Sequence, residues 1–293
     1  MKRAKRPASD DLLAQLDLAE VAPDRFVGLS PDNGWKRVFG GQVLGQAMVA
    51  ATRTVEGRDA HSLHAYFILG GDPTLPITYA VERVRDGGSF STRRVVALQR
   101  DAMIFAMMVS FHKQEDGFEH QMPMPSVPQP EELPDEATLK ARLPRPLRGY
   151  VDDTWPIEMR VVDLERYLDP SLDQPGHRIW MRARRPLPAD APLSLHQCVL
   201  VYASDYSLIE TGLIGHGYLL GDPRIQAASL DHAVWLHRPF RADDWLLYVQ
   251  DSPSAQGARA LCRGSYYTRD GKLVASIAQE GLLRIRTPQP KPA

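Results

Sequence analysis

The chain has 293 residues, and its 35 Lys and Arg against 36 Asp and Glu leave a formal charge of -1. That balance excludes the basic excess a nucleic-acid binder needs to neutralise phosphates. With 43% hydrophobic and 24% charged residues it buries a core, and two cysteines, Cys198 and Cys262, are too few for a disulfide scaffold or a Cys-rich metal site.

The first segment, Met1 to Asp11, is basic without the apolar stretch of a secretory signal. Phe39–Ala51 (FGGQVLGQAMVAA) then predicts a buried helix, thin because of its Gly and Ala and greased by Val43, Leu44, Met48 and Val49. Strands are expected at Leu63–Leu69, Ile77–Val84, Ser91–Leu98 and Ile104–Phe111, with turns at Gly87-Gly88 and Arg100-Asp101. Prolines crowd the next stretch, 121–149, among acidic residues. Proline has no backbone donor and a fixed φ, so no sheet centre fits here. It reads as a linker with one short helix around Glu136 to Arg142.

After the linker the order recurs. Ser194–Asp205 (SLHQCVLVYASD) is a second apolar helix, followed by strands at Ser229–Leu236, Trp245–Asp251, Ala258–Thr268 and Leu273–Arg284, with Arg269-Asp270-Gly271 as a turn. Ser62-Leu63 matches Ser229-Leu230 at an offset of 167, and Arg100-Asp101 matches Arg269-Asp270 at 169. Near-constant offsets point to a tandem duplication, with a chance likeness of two β-meanders as the alternative. One helix and an antiparallel meander, twice over, is an α+β layout, and two such sheets set side by side would cover each other's edges. The expected division is 1–120, a linker at 121–149, and 150–293.

Several chemistries lack their motifs. There is no phosphate loop, no dinucleotide fingerprint, no His-Glu-x-x-His and no Gly-x-Ser-x-Gly elbow; Gly87-Gly88-Ser89-Phe90-Ser91 comes nearest to the last. The close histidine pairs, His61/His64, His112/His120 and His232/His237, have no carboxylate at a helical metal spacing. Neither a metal nor a cofactor is expected. No apolar run approaches the roughly 18 residues that span a membrane, and the C-terminal Pro-Lys-Pro-Ala is not a peroxisomal or retention tag. A soluble, reduced, cytoplasmic protein is the expectation.

Phe39-Gly40-Gly41-Gln42, His64-Ala65-Tyr66-Phe67, Arg85-Asp86-Gly87-Gly88-Ser89-Phe90, Ala203-Ser204-Asp205, Ser229-Leu230-Asp231-His232, Trp235-Leu236-His237-Arg238-Pro239-Phe240 and Gln279-Glu280-Gly281 occur in this order. Together they make the chain resemble the acyl-CoA thioesterase II family (TesB-like, double hotdog) from about Leu12 to Arg286. The resemblance implies a helix wrapped by an antiparallel sheet and duplicated in one chain, a homo-oligomer (dimer or tetramer), and hydrolysis of fatty acyl-CoA by an activated water without metal or covalent intermediate. It places the family's aspartate on Asp205, its hydroxyl on Ser229, where many relatives carry threonine, and its glutamine on Gln279. The chemistry suits these types: a thiolate leaves readily, so a carboxylate base and two groups that hold the water and the growing oxyanion suffice.

Each residue also has a plainer reading. Asp205 could end a helix and Ser229 could be a turn hydroxyl. Gln279 in an apolar strand is the oddest, since a buried amide without partners costs roughly 1–3 kcal/mol. The first-half equivalents read as Val49, Ser62 and Ser110, so the second half would carry the site. His64 is a further candidate base, while Trp235 and Trp245 read as core. The alternatives are a hotdog enoyl-thioester hydratase, for which no Asp-x-Asn-x-x-His string is present, and a non-catalytic acyl-CoA-binding protein.

Overall fold

The computed structural model describes residues 6–143, 154–165 and 176–286. Its first half holds β1 (Ala19–Ala22), β2 (Arg25–Gly28), a long helix (Gly40–Thr52), β3 (Asp59–Phe67), β4 (Ile77–Asp86), β5 (Phe90–Gln99) and β6 (Ala102–His112). Its second holds β7 (Ile157–Val161), β8 (His177–Ala183), a long helix (Leu193–Ser204), β9 (Ile225–Ser229), β10 (Asp231–Leu236), β11 (Leu246–Gln256), β12 (Arg259–Thr268) and β13 (Leu273–Ile285). Both long helices lie within one residue of their expected bounds. The sequence gives no signal for β1, β2, β7 and β8, and the expected strand from Ser229 is broken at Leu230 into β9 and β10.

All these strands form one antiparallel sheet, in the order β1-β2-β4-β5-β6-β3-β10-β13-β12-β11-β8-β7, with β9 beside β13. The two halves meet where β3 pairs with β10, His64 opposite Ala233 and Leu63 opposite Val234. Each half thus covers an edge of the other. The Arg100-Asp101 turn between β5 and β6 has φ of 48° and 66°, the left-handed pair that a tight hairpin requires.

The two long helices pack against each other on one face of the sheet, running in opposite directions. Gly45 permits this: a Cβ there would stand 3.0 Å from Leu16 and 3.1 Å from Tyr202. Leu44, Met48, Val201 and Leu200 are buried in the common core with Leu63, Phe105 and Val234, each worth about 1.5–3 kcal/mol of burial. Gln46, buried within the first helix, receives the Tyr79 hydroxyl at 2.7 Å and donates to the Gln15 carbonyl at 2.6 Å, so its amide is satisfied.

The proline-rich stretch is packed down. Gln121 bonds Gly271 and Leu273, Trp180 Nε1 donates to the Pro128 carbonyl at 2.9 Å, and Arg269 meets Gln129 and Glu131. The expected short helix is Glu136–Arg142, capped by Asp135; residues 144–149 fall outside the described ones. Trp245 is core, but Trp235 is 37% exposed, because β10 turns it to the sheet face away from the helices. No helix among the described residues is long and apolar enough to cross a membrane, and both cysteines are buried and unpaired.

Candidate active site

Three elements of the second half bring Asp205, Ser229 and Gln279 together. Asp205 is the C-cap of the second long helix. Ser229 ends β9, where the chain breaks step before Leu230. Gln279 lies in β13 with its side chain turned inward between Ile277 and Gly281. The Gln279 amide donates to Asp205 Oδ1 at 2.6 Å, and the Ser229 hydroxyl donates to the same oxygen at 3.1 Å. This accounts for the amide in an apolar strand: Gln279 is fully buried, and its partner is a carboxylate.

The first half contributes the start of its long helix. That helix has no acidic residue in its first turn and no local side-chain cap. Asp205 serves instead, from the other half, accepting the Gly41 backbone N–H. Glycine is needed for so close an approach. A Cβ on Gly40 would stand 2.6 Å from Asp205 Oδ2 and 3.0 Å from the Phe67 ring, and one on Gly41 would stand 2.2 Å from the Tyr202 carbonyl. Sequence reasoning missed these two as site residues, although Phe39-Gly40-Gly41-Gln42 held the signal.

Burial pushes the Asp205 carboxyl up to about 6, against the pull of Gln279, Ser229 and Gly41. A carboxylate 6% exposed loses hydration, and its three donors return only part of it. The result is a group that is ionised at neutral pH and still basic enough to take a proton, as a general base must be.

The histidines do not compete for that role. His232 is fully buried, and burial depresses it to about 3, so it is neutral. Ser204 Oγ donates to the Val201 carbonyl at 2.9 Å, which leaves it to accept from His232 Nε2 at 2.8 Å. The lone pair of Nδ1 then faces Asp205 Oδ1 at 4.0 Å without a bond. His64 lies between buried Leu63 and Ala65, and alternation sends it to the outer face, edge-on to Trp235 at 5.2 Å. It does not reach Asp205.

An aromatic group adjoins the site. Phe39, just before Gly40, packs on Tyr202, Trp155 and Tyr206, which follows Asp205, and Trp35 stacks on Trp155 at 5.1 Å. Among the described residues no cluster of His, Cys, Asp and Glu could hold a metal ion.

The two halves differ at equivalent positions. In β9–β13 Ser229 faces Gly281 and the pairing slips at Leu230; in β3–β6 Ala60 faces Phe111 and the pairing slips at His61. Aligned on these breaks, Ala60 and Val109 stand where Ser229 and Gln279 do, and Arg53 caps the helix where Asp205 does. They replace the expected Val49, Ser62 and Ser110. Both sets lack the carboxylate and the amide.

Two family models match the chain, one described as acyl-CoA thioesterase over residues 149–282 and one as acyl-CoA thioesterase N-terminal domain over residues 31–112. The chain is 40% identical to acyl-coenzyme A thioesterase 8 of Homo sapiens, covering 92% of this chain and 88% of that one. It is 36% identical to acyl-CoA thioesterase 2 of Haemophilus influenzae, over 94% of this chain and 97% of that one. Among solved structures it resembles the acyl-CoA thioesterase II TesB2 of Mycobacterium marinum, with a TM-score of 0.77 at 40% identity over 95% of this chain and 99% of that one. A hot dog protein of Alicyclobacillus acidocaldarius shares the fold at 17% identity, with a TM-score of 0.74 over 94% of this chain and 98% of that one.

Proposed function

Because the chain belongs to the acyl-CoA thioesterase family and is a thioester hydrolase, we propose that it hydrolyses fatty acyl-CoA to free acid and CoA at Asp205, Ser229 and Gln279. Asp205 takes a proton from the attacking water as general base. Ser229 and Gln279, both bonded to the same carboxylate oxygen, hold its orientation, and the hydroxyl keeps lone pairs to bind the water. The helix start at Gly40-Gly41 directs amide dipoles at the reacting centre, where negative charge grows on the thioester oxygen. The thiolate departs as the tetrahedral intermediate collapses, so no acyl-enzyme is formed.

The observation that carries this reading is the convergence of a buried, base-poised carboxylate with both its expected partners at the junction of the halves. A binding module would have no use for a carboxylate whose burial costs stability, which argues against the non-catalytic alternative. We read the chain as two hotdog units, 1–120 and 150–293, joined by 121–149. A cytoplasmic home suits the two unpaired thiols. Assembly into a homo-oligomer (dimer or tetramer) suits the exposed Tyr66, Met108 and Trp235 on the outer sheet face.

The test is thiol release from saturated acyl-CoAs by wild type and by Asp205→Ala. Release that falls by about 10²–10⁴-fold in a folded variant supports the assignment. Undiminished release moves the base elsewhere, and tight binding without release by either protein returns the binding module.

A further inference from the structure

His232, the second residue of β10, lies behind the Asp205 carboxylate with no exposed surface. Its Nδ1 stands 4.0 Å from Asp205 Oδ1, and its Nε2 stands 2.8 Å from Ser204 Oγ. A neutral imidazole has one proton to place, and the acceptor offered at each nitrogen decides where it goes. Beside an ionised carboxylate the favoured place is Nδ1, in a charge-assisted hydrogen bond. Here the ring is drawn the other way. The Ser204 hydroxyl gives its own proton to the Val201 carbonyl at 2.9 Å, so toward His232 it can only accept. Nδ1 is left buried without a partner, an arrangement that stability alone disfavours.

The consequence falls on Asp205. Its Oδ1 already accepts from Gln279 and Ser229, and the carboxylate also takes the Gly41 N–H. A further donor from His232 would favour the charged form and make the carboxylate a weaker base, whereas a lone pair facing it does the reverse. The other titratable groups nearby are engaged or neutral. Tyr248 of β11 donates to the Ser204 carbonyl at 3.0 Å, and burial holds its hydroxyl well above the usual range. Cys262, opposite Gln279 on β12, is pushed up to about 11 by burial. Glu210 accepts the Leu220 N–H, Asp231 accepts the Glu280 N–H, and Glu280 pairs with Arg259. Tyr202 and Tyr206 pack on Phe39. The first long helix and β9 contain no titratable side chain.

The first half shows the same link. Aligned on the strand breaks and helix ends described above, Leu63 stands where His232 does and Thr52 where Ser204 does. Where Arg53 replaces the carboxylate, the imidazole is absent too. We propose that Ser204 and His232 are positioning residues for the reaction: the serine holds the imidazole proton on Nε2, so that no donor from β10 reaches Asp205. This inference rests on the reading of Asp205 as the base.

Ser204→Ala removes the acceptor and leaves the backbone carbonyl that Tyr248 uses. The ring proton is then expected on Nδ1, bonded to Asp205. The acid limb of kcat/KM for a saturated acyl-CoA, set near pH 6 by the buried carboxyl, is expected to move down by about one pH unit. The plateau kcat should fall about three- to tenfold as the base weakens, with KM within about twofold. Ser204→Thr keeps the hydroxyl and is expected to leave the limb in place. Ring nitrogen-15 NMR shifts, assigned to His232 by comparison with His232→Gln, read the proton directly: on Nε2 in wild type and on Nδ1 in Ser204→Ala. A packing role alone would lower Tm and move neither limb nor proton. A wild-type ring protonated on Nδ1, or a Ser204→Ala limb that stays at its wild-type pH in a folded protein, overturns the inference. Asp205→Asn keeps the two questions apart. If the wild-type limb survives in that variant, the reading of the base has failed; if it is lost there but unmoved in Ser204→Ala, only the role of Ser204 and His232 has.

Discussion

Gly40→Ala probes how tightly the first half grips Asp205, the base proposed above. The added Cβ would stand 2.6 Å from Asp205 Oδ2 and 3.0 Å from two carbons of the Phe67 ring, where comfortable contact needs about 3.5 Å. The carboxylate or the helix start must therefore retreat by about 1 Å. Crowding of this kind costs about 1–3 kcal/mol, and alanine returns up to about 1 kcal/mol through its better helix propensity, so the variant stays folded. A misplacement of about 1 Å at reacting groups costs on the order of 10² in rate. Thiol-release kinetics are expected to show kcat about 100-fold lower with KM changed only a few-fold, and Tm within several degrees of wild type. Gly41→Ala is the contrasting case. Its Cβ meets the Tyr202 backbone carbonyl at 2.2 Å, so the two helices must part, and a larger loss of Tm is expected. Wild-type kcat in a natively stable Gly40→Ala protein would refute the view that the helix start positions the carboxylate.

Ser229→Thr keeps the hydroxyl and is expected to hold kcat/KM within about threefold, whereas Ser229→Ala removes a donor from Asp205 and the hydroxyl proposed to bind the water, and is expected to cost about 10–100-fold. Asp205→Asn is expected to gain stability at pH 8 even as it loses activity, by about 1–3 kcal/mol of unfolding free energy measured with denaturant. A carboxyl raised from 3.8 to about 6 on folding binds its proton more tightly in the folded state. Its contribution is therefore most favourable below pH 3.8 and is lost as pH rises through 6. The gain from Asparagine should vanish at pH 4, and a destabilisation at pH 8 instead would mean that the donors outweigh the burial.

Much of this fold was legible in the chain because its signals are local. Apolar runs almost without charge mark both long helices, the first thinned by Gly and Ala, and alternating strands between clear turns mark the meander in each half. β1, β2, β7 and β8 were not legible. β1 is exposed along its whole length, so no alternation marks it, and β7 and β8 follow a proline-dense stretch that reads as loop. The break at Leu230 escaped notice because a bulge is a matter of pairing, set by β13 and not by the strand itself. It also shifted the match between the halves, putting Ala60 and Val109 where Ser62 and Ser110 were expected. Of the site, Gln279 was conspicuous as an amide in an apolar strand. Gly40 and Gly41 were visible only as helix-thinning residues, since their second role depends on a carboxylate about 165 residues away that only the packing of two antiparallel helices brings to them.

The most direct measurement is the pH dependence of kcat/KM for a saturated acyl-CoA, which reports the ionisation of the free enzyme's base. With Asp205 as the proposed base, only its ionised form accepts the proton, so kcat/KM should be level above about pH 7 and fall tenfold per unit below about pH 6, where the buried carboxyl takes up its proton. In Asp205→Asn the residual rate should lose this limb. A profile that is flat down to pH 4.5, or a limb at pH 6 that survives intact in Asp205→Asn, would contradict the assignment of Asp205 as the base.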